Sequence, residues 1–170
     1  MKKILLIIAV LFYVSGNAQV KSVTIQASGL TCSMCSNAIF KALKSLDFVD
    51  HVEPNIKNST FEISFKPGAR VDFDKLKGKV EDAGFFVANF TVVMNVENLA
   101  ISNDAHVNVC NEVFHFLNVK DKVLSGEQTF RILDKGYVSA KEFKKNSSLT
   151  KMPCYKTGEE NGKRIFHVTI

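Results

Sequence analysis

Two cysteines separated by two residues, Cys32 and Cys35, have the residue types and spacing that most directly indicate chemistry in this sequence. They follow Gly29-Leu30-Thr31, where a predicted strand ends and a predicted helix begins. Because Cys35 falls in the first turn of that helix, unpaired backbone N–H groups and the helix dipole would stabilise its thiolate. Two thiolates without an oxygen ligand favour a soft metal ion, above all Cu(I). A metal site is therefore the first interpretation of the pair.

The same spacing also occurs in thiol–disulfide oxidoreductases, so a redox pair is a second interpretation of Cys32 and Cys35. Against it, no Trp precedes the pair, and the surrounding unit is too short for a thioredoxin fold. A local disulfide is the third interpretation, and in an oxidising compartment it would also be a resting state of a metal site. Met34, between the two cysteines, is predicted to face solvent.

The first eighteen residues have the pattern of a cleavable signal peptide. Lys2 and Lys3 precede an apolar run of eleven residues, 4–14, and small residues follow at 15–18. That run is much shorter than the roughly twenty residues that a membrane anchor needs. The protein is therefore predicted to be exported, to a periplasm or outside the cell. Without Lys2 and Lys3 the formal net charge of +5 becomes +3, too small to indicate a nucleic-acid partner.

Cys110 and Cys154 form the remaining cysteine pair, and an oxidising compartment makes a structural disulfide between them the leading interpretation. The alternatives are two buried thiols, or a second metal site to which His106, His115 and Met152 would contribute nearby ligands. A strand through residues 106–110 would place His106 and Cys110 on one face and His115 on the other.

Other polar residues are predicted to have structural or solvated roles. His51 and His167 are isolated in the sequence, which favours a structural role over metal ligation. Lys141, Lys144 and Lys145 form a small basic helix face, which is typical of a solvated surface. The chain shows no catalytic triad order, glycine-rich phosphate loop or carboxylate pair, so the sequence gives no positive case for an enzyme.

Residues 20–95 alternate strand and helix patterns in the order strand, helix, strand, strand, helix, strand. Val23, Ile25 and Ala27 have the period of a half-buried strand, whereas residues 38–46 and 72–83 carry apolar stripes at helical spacing. This order predicts an α+β, ferredoxin-like βαββαβ domain, with both helices on one face of a four-stranded antiparallel sheet.

Residues 96–170 are predicted to form a second, small and mostly β domain, which could close as a barrel. Extended patterns cover 106–119, 128–133 and 164–170, and Ser139 with Glu142 has the pattern of a helix N-terminus. A unit of about seventy-five residues buries little core. We therefore expect a covalent or other crosslink, or docking onto the first unit, to stabilise it.

Over residues 20–95 the sequence resembles the heavy-metal-associated (HMA) domain family, which includes copper chaperones and periplasmic mercury-binding proteins. The resemblance lies in Gly29-Leu30-Thr31-Cys32-x-x-Cys35 and in Glu81-Asp82-Ala83-Gly84-Phe85 before the last strand. It implies a ferredoxin-like fold, Cys32 and Cys35 as metal ligands, and Phe85 as an aromatic side chain beside the metal loop. Leu30 stands where the family usually has Met, which keeps an apolar anchor under the loop.

The resemblance also bears on the metal. Zinc-binding members tend to have Asp immediately before the first cysteine, and Thr31 is found there instead. This favours Cu(I), while the likeness to mercury-binding members leaves Hg(II) open.

The sequence thus predicts an exported metallochaperone or scavenger that holds Cu(I) between Cys32 and Cys35. A metal-transporting pump or another thiol-rich metal-binding protein would be its transfer partner. A mercury-binding protein and a thiol–disulfide oxidoreductase remain the alternatives.

Overall fold

The computed structural model describes residues 19–30 and 33–170; the predicted signal peptide, residues 1–18, lies outside them. The elements over the described residues are β1 (Gln19–Ser28), α1 (Ser33–Lys44), β2 (Val49–Asn55), β3 (Thr60–Phe65), α2 (Phe73–Asp82), β4 (Phe86–Ile101), β5 (Ala105–Val109), β6 (Glu112–Phe116), β7 (Lys122–Ile132), α3 (Ala140–Asn146), α4 (Cys154–Thr157), β8 (Glu159–Glu160) and β9 (Lys163–Thr169).

The first six elements confirm the predicted ferredoxin-like fold. Their strands lie in the order β2-β3-β1-β4, with every neighbouring pair antiparallel. The inward residues of β1, such as Val23 and Ile25, are fully buried, as are Ile39 of α1 and Leu76 of α2. The helices therefore cover the apolar face of this part of the sheet, which is what the strand and helix periodicities require.

Local sequence signals explain where α2 begins and ends. The side chain of Asp72 accepts a hydrogen bond of 2.9 Å from the backbone N–H of Lys75, which satisfies one N-terminal donor of the helix. Gly84 follows the helix at a φ of +88°, a backbone conformation that glycine adopts without strain. The predicted start and stop signals are both present.

The second half of the chain extends the same sheet instead of closing as a barrel. Over the described residues the sheet has nine strands in the order β2-β3-β1-β4-β7-β9-β6-β5, with β8 paired to β9. β4 pairs with β1 at its start and with β7 along its later part, for example Ile25 with Phe90 and Val92 with Phe130. The predicted boundary near residue 96 falls within β4, so a division of the chain there stays a prediction.

The two halves share one apolar core around Phe73 of α2. Its ring lies 6.0 Å from that of Phe90, 6.4 Å from Phe114 and 5.3 Å from Phe166, measured between ring centroids. Tyr137, from the second half, packs edge-on against Phe90 at 5.0 Å. Such contacts bury aromatic surface that neither half would cover alone. Docking onto the first unit, one of the two stabilising routes that the sequence predicts, is therefore present.

A polar junction reinforces this contact at the start of α2. Asp74 accepts a 2.7 Å hydrogen bond from the hydroxyl of Tyr137 and a 2.9 Å bond from Nε of Arg164. Burial alone would raise the pKa of Asp74, but the hydrogen bonds from Arg164 and Tyr137 hold that pKa below its usual range. The ionised form of Asp74 is therefore the one that fits the folded protein.

Candidate metal centre

The structure places Cys35 where the sequence predicts it, in the first turn of α1. β1 ends at Ser28, Gly29 takes a φ of +84°, and the half-buried Leu30 packs against the core as an apolar anchor. Cys35 is half-buried, at the third residue of the helix. Thr31 and Cys32, the other predicted ligand, lie outside the residues that the structure describes.

Two features around Cys35 concern its predicted role as a metal ligand. The first turn of α1 contains no acidic residue, so no carboxylate from that turn competes as an oxygen ligand. Phe85, which the family resemblance places beside the metal loop, packs against the same core as Leu30.

Two exposed apolar side chains lie at the same end of the first unit. Met34 is 81% exposed, which confirms its predicted solvent-facing position, and Phe86 is 73% exposed. Phe86 pairs with Ser28, the last residue of β1, so it lies where the metal loop begins. Both apolar side chains are therefore exposed at the end of the domain where β1 meets α1.

The predicted disulfide between Cys110 and Cys154 is wrong, because the structure joins neither cysteine to the other. Cys110 lies in the turn between β5 and β6, where its φ of 53° and that of Asn111, 65°, form a tight hairpin. Cys154 contacts His106, which precedes Cys110 by four residues. Four residues of a strand span about 13 Å, so the contact places Cys154 well away from Cys110. A disulfide needs Cα atoms within about 7 Å.

The two cysteines also differ in their surroundings. Burial, followed by the charge of Glu112, raises the pKa of the Cys110 thiol to about 11. Cys154 is 2% exposed and begins α4, a short helix that the sequence analysis missed.

Around Cys154 the structure brings together residues that the sequence analysis treated separately. Its sulfur lies 3.6 Å from Nε2 of His106, 3.6 Å from Nδ1 of His115 and 3.5 Å from Nε2 of His167. His106 and His115 were candidates for a second metal site.

His167 was predicted to have a satisfied or exposed structural role; it is buried and its Nδ1 lies 2.6 Å from Oδ1 of Asp134, so that role stays a prediction. The apolar residues Ile165, Phe166 and Val168 around His167 could have indicated a strand that is buried on both faces.

The remaining candidates include Met152, two residues before Cys154, and the surface residues His51 and Lys141. Met152 is half-buried in the turn before α4, where its backbone N–H donates to the hydroxyl of Thr150. His51 is exposed on β2, and Lys141 is exposed on α3.

Comparison with known proteins identifies the domain that carries Cys35. Residues 24–86 match the model of the heavy-metal-associated domain, which confirms the resemblance over that range. A probable copper-exporting P-type ATPase of Archaeoglobus fulgidus is 34% identical over 74 residues. Those residues are 44% of this chain but only 9% of that protein, so the chain covers a small part of its relative.

Solved structures that are similar to the chain include small metal-related domains. The yeast copper transporter domain Ccc2a is 27% identical, over 39% of this chain and 90% of its own, with a TM-score of 0.36. Oxidized MerP from Ralstonia metallidurans CH34 is also 27% identical, over 42% of this chain and 94% of its own, with a TM-score of 0.37. Across the part of the chain that the structure describes, no helix is both long and apolar enough to cross a membrane.

Proposed function

We propose that the protein binds one soft metal ion, Cu(I), between Cys32 and Cys35 and passes it to a partner protein by thiolate exchange. The observation that carries this proposal is the position of Cys35 in the first turn of α1. This helix follows β1 after a short loop, within the residues that match the heavy-metal-associated domain. N–H groups of a first helical turn have no partner within the helix, and their partial positive charge favours an anionic thiolate.

Copper in its monovalent state suits this ligand set better than Zn(II). Cu(I) accepts two soft thiolates, whereas structural Zn(II) sites are almost always four-coordinate. Thr31 supplies no carboxylate beside the pair, and neither does the first turn of α1. Two-coordinate binding leaves room for a third sulfur from a partner, so the ion can move without ever being released to water.

The exposed end of the domain is the surface that would meet the partner. Met34 and Phe86 are exposed there beside the metal loop, and transient contacts bury modest apolar patches of this kind. We propose a metal-transporting pump or another thiol-rich metal-binding protein as the partner. The probable copper-exporting ATPase among the relatives is consistent with the first choice.

We also propose that residues 1–18 direct export and are then removed, so that the protein works in a periplasm or outside the cell. The apolar run at 4–14 and the small residues at 15–18 support this. An oxidising compartment would leave the Cys32–Cys35 pair either loaded with metal or oxidised.

A comparison of metal binding with redox activity tests the proposal against the oxidoreductase alternative. The reduced chain of residues 19–170, carrying Cys154→Ser so that the thiol among the histidines binds no copper, is expected to bind Cu(I) under anaerobic conditions and to reduce insulin no faster than dithiothreitol alone. Insulin reduction that depends on Cys35, with no copper retained after desalting, would reject metal binding in favour of thiol exchange. A competition titration of the Cu(I)-loaded protein with Hg(II) shows which of the two ions the cysteine pair prefers.

A further inference from the structure

Three histidines occupy one level of the sheet on three neighbouring strands. The strand register pairs His106 of β5 with His115 of β6, and His115 with His167 of β9. Their rings are close, with centroids 4.4 Å apart for His106 and His115 and 5.0 Å apart for His115 and His167. Cys154, at the start of α4, places its sulfur against all three rings. Residues distant in sequence are thus brought to one point by the fold.

The sulfur–nitrogen distances match those between neighbouring ligands of a tetrahedral metal ion. Bonds of about 2.3 Å to sulfur and about 2.0–2.1 Å to nitrogen, at a tetrahedral angle, separate the two ligand atoms by about 3.6 Å. The three observed distances are 3.6, 3.6 and 3.5 Å. His106, His115 and Cys154 each place one ligand atom within 4.8 Å of the others, so these three form the centre of the cluster, and His167 adjoins it through the sulfur.

The far nitrogen of each ring faces a carboxylate, and this fixes which nitrogen faces the sulfur. These pairs are His115 Nε2 with Asp104 at 2.9 Å, His167 Nδ1 with Asp134 at 2.6 Å, and His106 Nδ1 with Glu160 at 3.3 Å. A carboxylate accepts a hydrogen bond, so the ring proton lies on its side and the lone pair faces the sulfur. Carboxylate partners of this kind are the usual second layer around metal-binding histidines.

Three lone pairs around one thiol cannot all be satisfied by hydrogen bonds. A thiol has a single proton to donate, so at least two imidazole nitrogens would face the sulfur without a donor from it. His115 and His167 are 0% exposed, so bulk water does not solvate them. Buried polar atoms without partners are costly, and a cation bound by all four groups would satisfy them together.

The arrangement is less suited to a catalytic cysteine. A nucleophilic thiol needs one base and an approach for the substrate, whereas Cys154 is 2% exposed and has three imidazoles around it. His106 is the most accessible of the four groups, with 22% of its side chain exposed on the edge strand β5. An ion can therefore enter beside His106, but a larger substrate has no comparable route.

We propose that Cys154, His106 and His115 form a second metal site for a d10 ion, Zn(II) or Cu(I), and that His167, 3.5 Å from the same sulfur, completes a tetrahedral ligand set when the ion binds. This site crosslinks β5, β6, β9 and α4 in the half of the chain that has the smaller core. The bound ion would stabilise residues 96–170, as the predicted disulfide was expected to do. The proposal does not depend on metal binding by Cys32 and Cys35.

The test uses the full-length protein carrying Cys32→Ser and Cys35→Ser, so that the first site contributes nothing. Reduced protein is loaded anaerobically with Zn(II), Cu(I) or the spectroscopic probe Co(II), then desalted, and metal is measured per chain. We expect one ion per chain, a higher melting temperature with metal, and a cobalt spectrum with four-coordinate visible bands and a thiolate charge-transfer band. Competition between Zn(II) and Cu(I) identifies the preferred ion.

Variants of the cluster separate this site from adventitious binding. Adding Cys154→Ser should remove the thiolate band and weaken binding at least tenfold, and His106→Gln should weaken it while keeping the band. Cys110→Ser and His51→Gln are the matched controls and should change neither. Because Cys154 is buried, circular dichroism is used to check that Cys154→Ser folds. If it does not fold, the metal affinity of His106→Gln tests the site instead. Folded protein that retains no metal, or whose binding survives the cluster variants, would overturn the proposal.

Discussion

Replacing Cys35 by Ser is expected to weaken Cu(I) binding at the first site by at least about a hundredfold, which is about 2.7 kcal/mol. A serine hydroxyl is a hard, neutral ligand at pH 7, so only the Cys32 thiolate would remain for a soft ion. The measurement is anaerobic competition against a coloured Cu(I) chelator. It is made in a chain that also carries Cys154→Ser, so that only the first site is present.

Two further variants make this result interpretable. Cys32→Ser should weaken binding as strongly as Cys35→Ser, since each would remove one of two ligands. Cys110→Ser replaces a thiol in the β5–β6 turn, which contacts Val20 at the start of β1, whereas α1 follows the opposite end of that strand, so the affinity should be unchanged. Equal affinity in the Cys35→Ser and Cys110→Ser variants would show that Cu(I) is bound elsewhere.

Replacing Phe73 by Ala is expected to lower the free energy of unfolding by about 3–5 kcal/mol, the usual cost of deleting a buried aromatic ring. Phe73 is 2% exposed and contacts Phe90 from the first half of the chain and Phe166 from the second. The cavity would therefore open between the two halves. Urea denaturation followed by circular dichroism measures the change.

The surface residue Phe86 supplies the matched control, because its side chain is 73% exposed. Phe86→Ala should change the free energy of unfolding by less than about 0.5 kcal/mol. A loss below about 1 kcal/mol for Phe73→Ala would show that the second half does not pack on α2 as described.

Local sequence patterns were sufficient to predict the helices and strands of the first half of the chain. The alternation of Val23, Ile25 and Ala27 and the capping residue Asp72 each specify an element from its own neighbours. The position of Cys35 was predictable for the same reason, since a strand pattern that ends near Gly29 and a helix pattern that follows place it in the first helical turn. Such signals need no knowledge of what packs against them.

The second half depended on long-range pairing that no local pattern contains. Residues 106–119 have an extended pattern, but the structure divides them into a hairpin at Cys110, where positive φ values occur without a glycine. β4 continues to Ile101 because β7 pairs with it, although the first domain was predicted to end at residue 95. Pairing partners are chosen by tertiary packing, so the added strands could not be ordered from sequence.

The cluster around Cys154 was only an alternative in the sequence analysis, without His167, for the same reason. His115 and His167 are fifty-two residues apart, and only the parallel pairing of β6 with β9 places them side by side. Counting cysteines favoured a disulfide, because an even number in an exported protein usually pairs. What the count could not include was the strand geometry, which separates Cys110 from Cys154 and surrounds the latter with imidazoles.

The X-ray absorption spectrum of copper in the reduced protein tests the central claim most directly. The sample is the chain of residues 19–170, which carries Cys154→Ser and is loaded anaerobically with one Cu(I) per chain. We expect a low-coordinate Cu(I) edge with two sulfur neighbours and no imidazole scattering, as binding between Cys32 and Cys35 requires. A copper shell made of nitrogen or oxygen atoms, without two sulfurs, would contradict the account.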